Sequence, residues 1–340
     1  MAETEWSPRE CWKYLILAFS LSWSIWIPTL FLSRYHEEFG NVLVLGAFGP
    51  SLAAILLSRN GVRISGRAMI TQAVRFTSVL LVGWAILLGH QFLWDETPVS
   101  LLSAGLFLLL SAIPAGIVCT AYSSDSGVRR TMRSLVTPKG AVWQVVGLLL
   151  IPTLFYVSAA ITHALGGVVH RRIVAGRGIS FVHLAIVEFG YACFFGGGVT
   201  EEPGWRGFLL PRLQTRFSPL TASLLIWIPW ALWHAPLDFG GYAGPTFGAY
   251  LRIRVFLLIP VCVILTFIYN RAGGSILSAV LFHSAYNVAP DFIPFAGWAI
   301  WLVIGVAVFA LFSDKMWRIR RSPRGPLIPQ VGRSDHVQTT

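Results

Sequence analysis

VSLLSAGLFLLLSAIPAGIVCTAY, residues 99–122, runs for 24 residues without one charged side chain. A helix rises about 1.5 Å per residue, and the hydrocarbon core of a bilayer takes about 20 residues to cross. The stretch therefore reads as a membrane-crossing helix. Working outward, apolar segments recur at 12–32, 41–57, 76–93, 141–165, 179–199, 220–237, 253–269, 275–289 and 293–312. Several are short, so the expected fold is an all-α polytopic membrane protein, a bundle of about eight to ten transmembrane helices.

Composition agrees: of 340 residues, 55% are hydrophobic and 12% charged. The net charge of +11 would suit a nucleic-acid partner, but the basic residues fall mainly in short loops between apolar runs. With a cytoplasmic N-terminus and every segment crossing, the inner segments hold 20 Lys and Arg against 6 outside. That asymmetry predicts both termini in the cytoplasm, a lipid bilayer as the surrounding partner, and no nucleic acid. The opening MAETEWSPRE is acidic and no small-residue cleavage site follows the first apolar run, so that run is expected to stay as a signal anchor. Cys11, Cys119, Cys193 and Cys262 are far apart and read as buried thiols. Two inner loops, SRNGVRISGRAMITQAVR and SGVRRTMRSLVTPKG, repeat arginine at helical spacing, as on the polar face of an interfacial helix or as topogenic charge against anionic lipid.

Burying an ionisable group at the centre of a membrane helix costs roughly 2.5 to 3.5 kcal/mol on insertion scales, so each one needs a reason. In GGGVTEEPGWRGFLLPRL, residues 196–213, Thr200 is expected to cap a helix whose first turn holds Glu201, Glu202 and Pro203. Glu202 and Arg206 are four apart and can pair, which leaves Glu201 as the free carboxylate. An ordinary capped helix end at the membrane surface accounts for the same residues. In WIPWALWHAPL, His234 ends an apolar helix one turn after Trp230, as an interfacial histidine also would. In LFHSAYN, His283 and Asn287 share one helix face, where they could equally be a packing hydrogen-bond unit. Glu188, five residues after His183, has no partner visible in the sequence and ranks below these.

Spacing links the first two clusters. Phe217, Ser218 and Pro219 form a natural turn, with Glu201 16 residues before Phe217 and His234 16 residues after Ser218. Equal arms of roughly 24 Å would bring carboxylate and imidazole level, give or take the turn that a Pro211 kink could cost. One carboxylate, two imidazoles and an amide are the parts for adding water to a peptide carbonyl. Glu201 would remove the proton, His234 would hold the water, and His283 with Asn287 would stabilise the oxyanion. Glu201, His234 and His283 could also hold Zn²⁺. The absence of HExxH or another compact two-histidine motif favours catalysis without a cofactor.

EEPGWRGFLLPRL, then WALWH, then HSAYN resembles the EExxxR, FxxxH and HxxxN motifs of the CAAX protease and bacteriocin-processing (CPBP) family, in order and approximate spacing, over residues 195–289. The resemblance implies Glu201 as catalytic glutamate, Glu202 and Arg206 as its companions, His234 as the residue sharing the water, and His283 with Asn287 as the oxyanion pair. The family is described both as a metalloprotease family using zinc and as glutamate-dependent, so the cofactor stays open. Its members cover prenyl-protein maturation, bacteriocin processing and immunity, and general membrane proteolysis. Trp230 departs from the usual phenylalanine while keeping an aromatic wall, and Pro203 is unusual after the paired glutamates. The implied organisation is N-terminal transmembrane helices at 1–178, a CPBP-like core at 179–290, a further helix at 291–314, and a basic disordered tail at 315–340. The implied function is an intramembrane endopeptidase, type II CAAX prenyl protease-like, acting on a peptide or protein whose lipidation is left open. Short loops and tryptophan-rich helices suggest a bacterial cell membrane. The competing classes are a proton- or ion-coupled transporter using Glu188, Glu201, His234 and His283, which would predict internal repeats not found here, and a catalytically inert scaffold.

Overall fold

A computed structural model describes residues 7–33, 42–61, 66–95, 97–138, 140–169, 181–239 and 247–319. Among them the chain is helical and forms no strand. The helices are α1 (Pro8–Leu32), α2 (Leu43–Gly46), α3 (Gly49–Leu57), α4 (Gly66–Leu93), α5 (Leu101–Thr120), α6 (Ser126–Met132) and α7 (Ala141–Ala164). They continue as α8 (Phe181–Phe194), α9 (Gly198–Glu202), a π-helical segment (Pro203–Leu209), α10 (Leu210–Gln214), α11 (Pro219–Trp233) and α12 (Ala235–Phe239). After α13 (Phe247–Tyr250) and a second π segment (Leu251–Leu257) come α14 (Leu258–Arg271), α15 (Ile276–Phe292) and α16 (Ala299–Ser313). The protein is a polytopic α-helical membrane protein. Six helical stretches are long and apolar enough to cross a bilayer, and shorter apolar helices at Leu43–Leu57, Pro219–Trp233 and Ala299–Ser313 add to them.

Contacts between the ends set the path. At one end, Glu10 pairs with Arg212 at 3.3 Å, and Ser58 bonds Thr131 at 2.9 Å. There, too, Ser134 accepts from the Ile276 amide at 3.2 Å, and the Leu220 amide reaches the Met316 carbonyl at 3.0 Å. At the other end, Ser158 accepts from the Ala296 amide at 3.0 Å and Trp298 donates to Thr162 at 2.8 Å. Successive apolar segments therefore alternate in direction, and α1 begins at the end where α16 finishes. α14 lies at the centre, with an unbroken buried run from Pro260 to Tyr269.

Two sequence expectations change here. Segment 179–199 is not one unbroken helix: α8 stops at Phe194, the helix is interrupted at 195–197, and the same membrane-crossing stretch continues through α9 and α10 to Gln214. Of the expected tail, residues 315–319 are described and Met316 is buried against the bundle; residues 320–340 lie outside the described residues. The loop SGVRRTMRSLVTPKG does form an amphipathic turn, α6 followed by a 3₁₀ turn. Val128, Met132 and Leu135 are buried while Arg129, Arg130 and Arg133 are exposed. In the other basic loop residues 62–65 lie outside the described residues, and its later part is the start of α4. All four cysteines are free, two buried and two half-buried.

Candidate active site

The glycine run makes the helix break possible. Gly197 has φ +116°, a region open to glycine and closed to most side chains. A Cβ there would lie 2.6 Å from His283 Nε2 and 3.0 Å from Asn287 Nδ2. The backbone at 197 can thus approach both side chains only because nothing projects from it. Gly197, and not Thr200, is the N-cap of α9, and Thr200 sits at the third helical position, where its hydroxyl accepts from the Gly197 amide at 3.1 Å. The expected Thr200 cap is overturned because the glycines let the helix start three residues earlier. Glu201 consequently closes the first turn and Glu202 follows it, still near the positive end of the helix dipole.

Pro203 then falls inside a continuing helix. It has no amide to offer the Val199 carbonyl one turn back, and Ser51 of α3 donates to that carbonyl at 2.8 Å instead. From Pro203 to Leu209 the helix widens into π geometry, the Leu210 amide reaching five residues back to Trp205.

Three helices bring the polar residues together. Glu202 Oε1 takes both Arg206 NH1 at 3.0 Å and His283 Nδ1 at 2.7 Å, with the Glu and Arg side chains at most 1% exposed. Arg206 also reaches Cys262 Sγ at 3.7 Å and lies over the Trp230 ring at 4.4 Å. Glu201 Oε2 accepts from Trp230 Nε1 at 2.6 Å, so Glu201 is not the free carboxylate the sequence suggested. His234 closes α11 as its C-cap, and its Nδ1 lies 2.9 Å from the Trp230 carbonyl, which leaves Nε2 clear of that bond. Trp233 stands edge-on to His234 at 4.7 Å and is pinned to α1 by Ser22 and Trp23. Asn287 donates to the Gly196 carbonyl at 2.6 Å. Glu201, Glu202, Arg206, Trp230 and His283 thus form one contact network, with His234 attached through Trp230 and Asn287 through the glycine turn.

Glu188 belongs elsewhere. It pairs with His90 of α4 at 2.6 Å, and His90 stacks on Tyr191 at 4.1 Å, while His183 is exposed. The reading of Glu188 as unpartnered fails because its partner lies 98 residues away. Sequence reasoning also missed the buried Asp238–Arg254 pair, a two-pronged contact at 2.7 and 2.8 Å. Its one signal was Asp238 four residues after His234, and the Asp238 amide does bond the His234 carbonyl at 3.1 Å. Gly197 had a signal in the glycine triplet, whereas Cys262 had none.

The set does not fit zinc as it stands. Among the described residues no three His, Cys, Asp or Glu side chains converge on a point where they could hold a metal ion. One oxygen of Glu201 already accepts the Trp230 N–H.

Comparison with known proteins points to the same stretch. Residues 182–289 match the family described as type II CAAX prenyl endopeptidase Rce1-like. A protein named CAAX prenyl protease 2 from Methanococcus maripaludis is 37% identical over 93 residues, which cover 26% of this chain and 34% of the relative. The match thus spans about a third of the curated relative's length. Segment 182–289 is thus similar to that family, and it contains every motif residue from Glu201 to Asn287.

Proposed function

We propose that the protein is an intramembrane endopeptidase that hydrolyses a peptide bond of a membrane-associated protein or peptide. The observation that carries this reading is the Glu201–Trp230–His234 chain of hydrogen bonds, enclosed among helices beside the Glu202–His283 pair. The Rce1-like match over the same residues supports it. Glu201 takes a proton from water as the water oxygen attacks the peptide carbonyl carbon. His234 orients that water through Nε2. His283, its Nδ1–H held by Glu202, donates from Nε2 to the developing oxyanion when the ring carries both protons, and Asn287 offers its second amide hydrogen beside it. The proton on Glu201 then passes to the leaving nitrogen, the C–N bond breaks to give a carboxylic acid and an amine, and the acid's proton passes to the amine, which leaves a carboxylate and an ammonium group. No step is routed through a metal.

The test is cleavage of a reporter-peptide library by purified protein in liposomes, with and without a prenylated cysteine in the peptides, and with and without a zinc chelator. Glu201→Gln is expected to lower kcat by about 10²- to 10⁴-fold, and His234→Ala by a similar order, each in a folded protein. Loss of activity with chelator would bring back zinc. A wild type that cleaves no peptide would move the weight to transport or scaffolding.

A further inference from the structure

Trp230 touches four other residues of the site. Its indole N–H donates to Glu201 Oε2 at 2.6 Å, and its carbonyl oxygen holds His234 Nδ1 at 2.9 Å. Its ring lies under the Arg206 guanidinium at 4.4 Å and edge-on to His283 at 5.4 Å. The side chain is 2% exposed, so its N–H has no water to turn to if the carboxylate moves away. Where the resembling family has phenylalanine, a ring would supply the wall and the cation–π face but no donor. The N–H is therefore a feature of this chain.

We infer that Trp230 is a positioning residue that fixes which oxygen of Glu201 acts as the base. A carboxylate rotates about its last bond with little resistance, and its two oxygens are equivalent until something distinguishes them. The indole N–H does so by occupying Oε2. Oε1 accepts no hydrogen bond among the described residues and remains as the proton acceptor facing the substrate water. The same residue fixes His234 through its backbone, so the two groups that share the water are held by opposite ends of one tryptophan. A buried hydrogen bond to a charged acceptor in a low-dielectric setting is stronger than a neutral one, which suits a group that must hold through each turnover.

This inference rests on the proteolytic reading for its kinetic half and on geometry alone for its structural half, and the test separates them. The structural arm labels the 14 tryptophan indoles with ¹⁵N and identifies the Trp230 resonance by its loss in Trp230→Phe. The expected result is a strongly downfield Nε1–H that moves upfield in Glu201→Ala while the other indoles stay in place. A Trp230 resonance indifferent to Glu201 overturns the inference, whatever the activity. The kinetic arm compares Trp230→Phe and a benzothiophene analogue encoded at position 230, which keeps both fused rings and lacks the N–H. Both are expected to lower kcat by about 10- to 100-fold with KM changed less than about twofold. Trp84→Phe, which removes a part-buried indole bond to the Ala104 carbonyl between two other helices, is expected to leave kcat unchanged. Equal kcat in wild type and the benzothiophene protein would overturn the positioning role. A wild type without peptidase activity would sink the proteolytic reading, and the indole shift would still decide whether Trp230 holds Glu201.

Discussion

Glu202 and Arg206 sit side by side with at most 1% of either side chain exposed; Glu202 bonds His283 and Arg206 lies over Trp230. Bringing two charges out of water costs more than one contact returns, so removing a single partner is worse than removing both. Glu202→Leu is expected to cost about 3–5 kcal/mol by stranding the guanidinium. Glu202→Leu combined with Arg206→Leu should recover most of that loss, as read from thermal unfolding in detergent. A double variant as unstable as the single one would show that the pair itself holds the helices together. The pairing was legible in the sequence because four-residue spacing is a property of one helix. The Trp230–Glu201 bond was not, since it depends on how two helices meet. Equal α-helical arms would set Glu201 level with His234. The π segment at 203–209 rises less per residue than an α-helix, shortens its arm, and brings Glu201 opposite Trp230, one turn nearer the bend.

The helix bearing the two glutamates survives a proline through a neighbour. Ser51 lends its hydroxyl to the carbonyl that Pro203 leaves without an amide, and it does so from α3, 148 residues earlier in sequence. Ser51→Ala is expected to cost about 1–3 kcal/mol, the penalty for a buried acceptor left unmade. Adding Pro203→Ala restores an amide that can reach the same carbonyl, so the double variant should be more stable than Ser51→Ala alone. Thermal unfolding of the two proteins side by side decides it, and a double variant no better than the single one would count against this account of Ser51. Nothing in the composition of either segment announces this pairing. The sequence showed that Pro203 was unusual and offered a first-turn explanation, which fails because the glycine run moves the helix start back to Gly198.

Across the whole molecule, the apolar segments alternate in direction and leave Pro8 and Met316 at the same end, beside the exposed Arg59, Arg129, Arg133, Arg216 and Arg318. Tags on the two termini are expected to be accessible from one side of an inverted membrane vesicle and protected in a right-side-out one, with the basic end in the cytoplasm. Tags digested from opposite sides would contradict the helix path. The order of the apolar segments was readable because bilayer thickness imposes a length on each helix. The break inside α8–α9 was hidden because glycine is compatible with an uninterrupted apolar run until a positive φ is known. At Gly197 this has a genetic consequence. Every missense change at that codon introduces at least a Cβ, which meets the His283 ring at 2.6 Å on a backbone only glycine adopts readily. A saturation library selected for function should therefore read a single letter at 197, while Gly105 and Gly305, whose added carbons would meet nothing within 4 Å, accumulate variants freely.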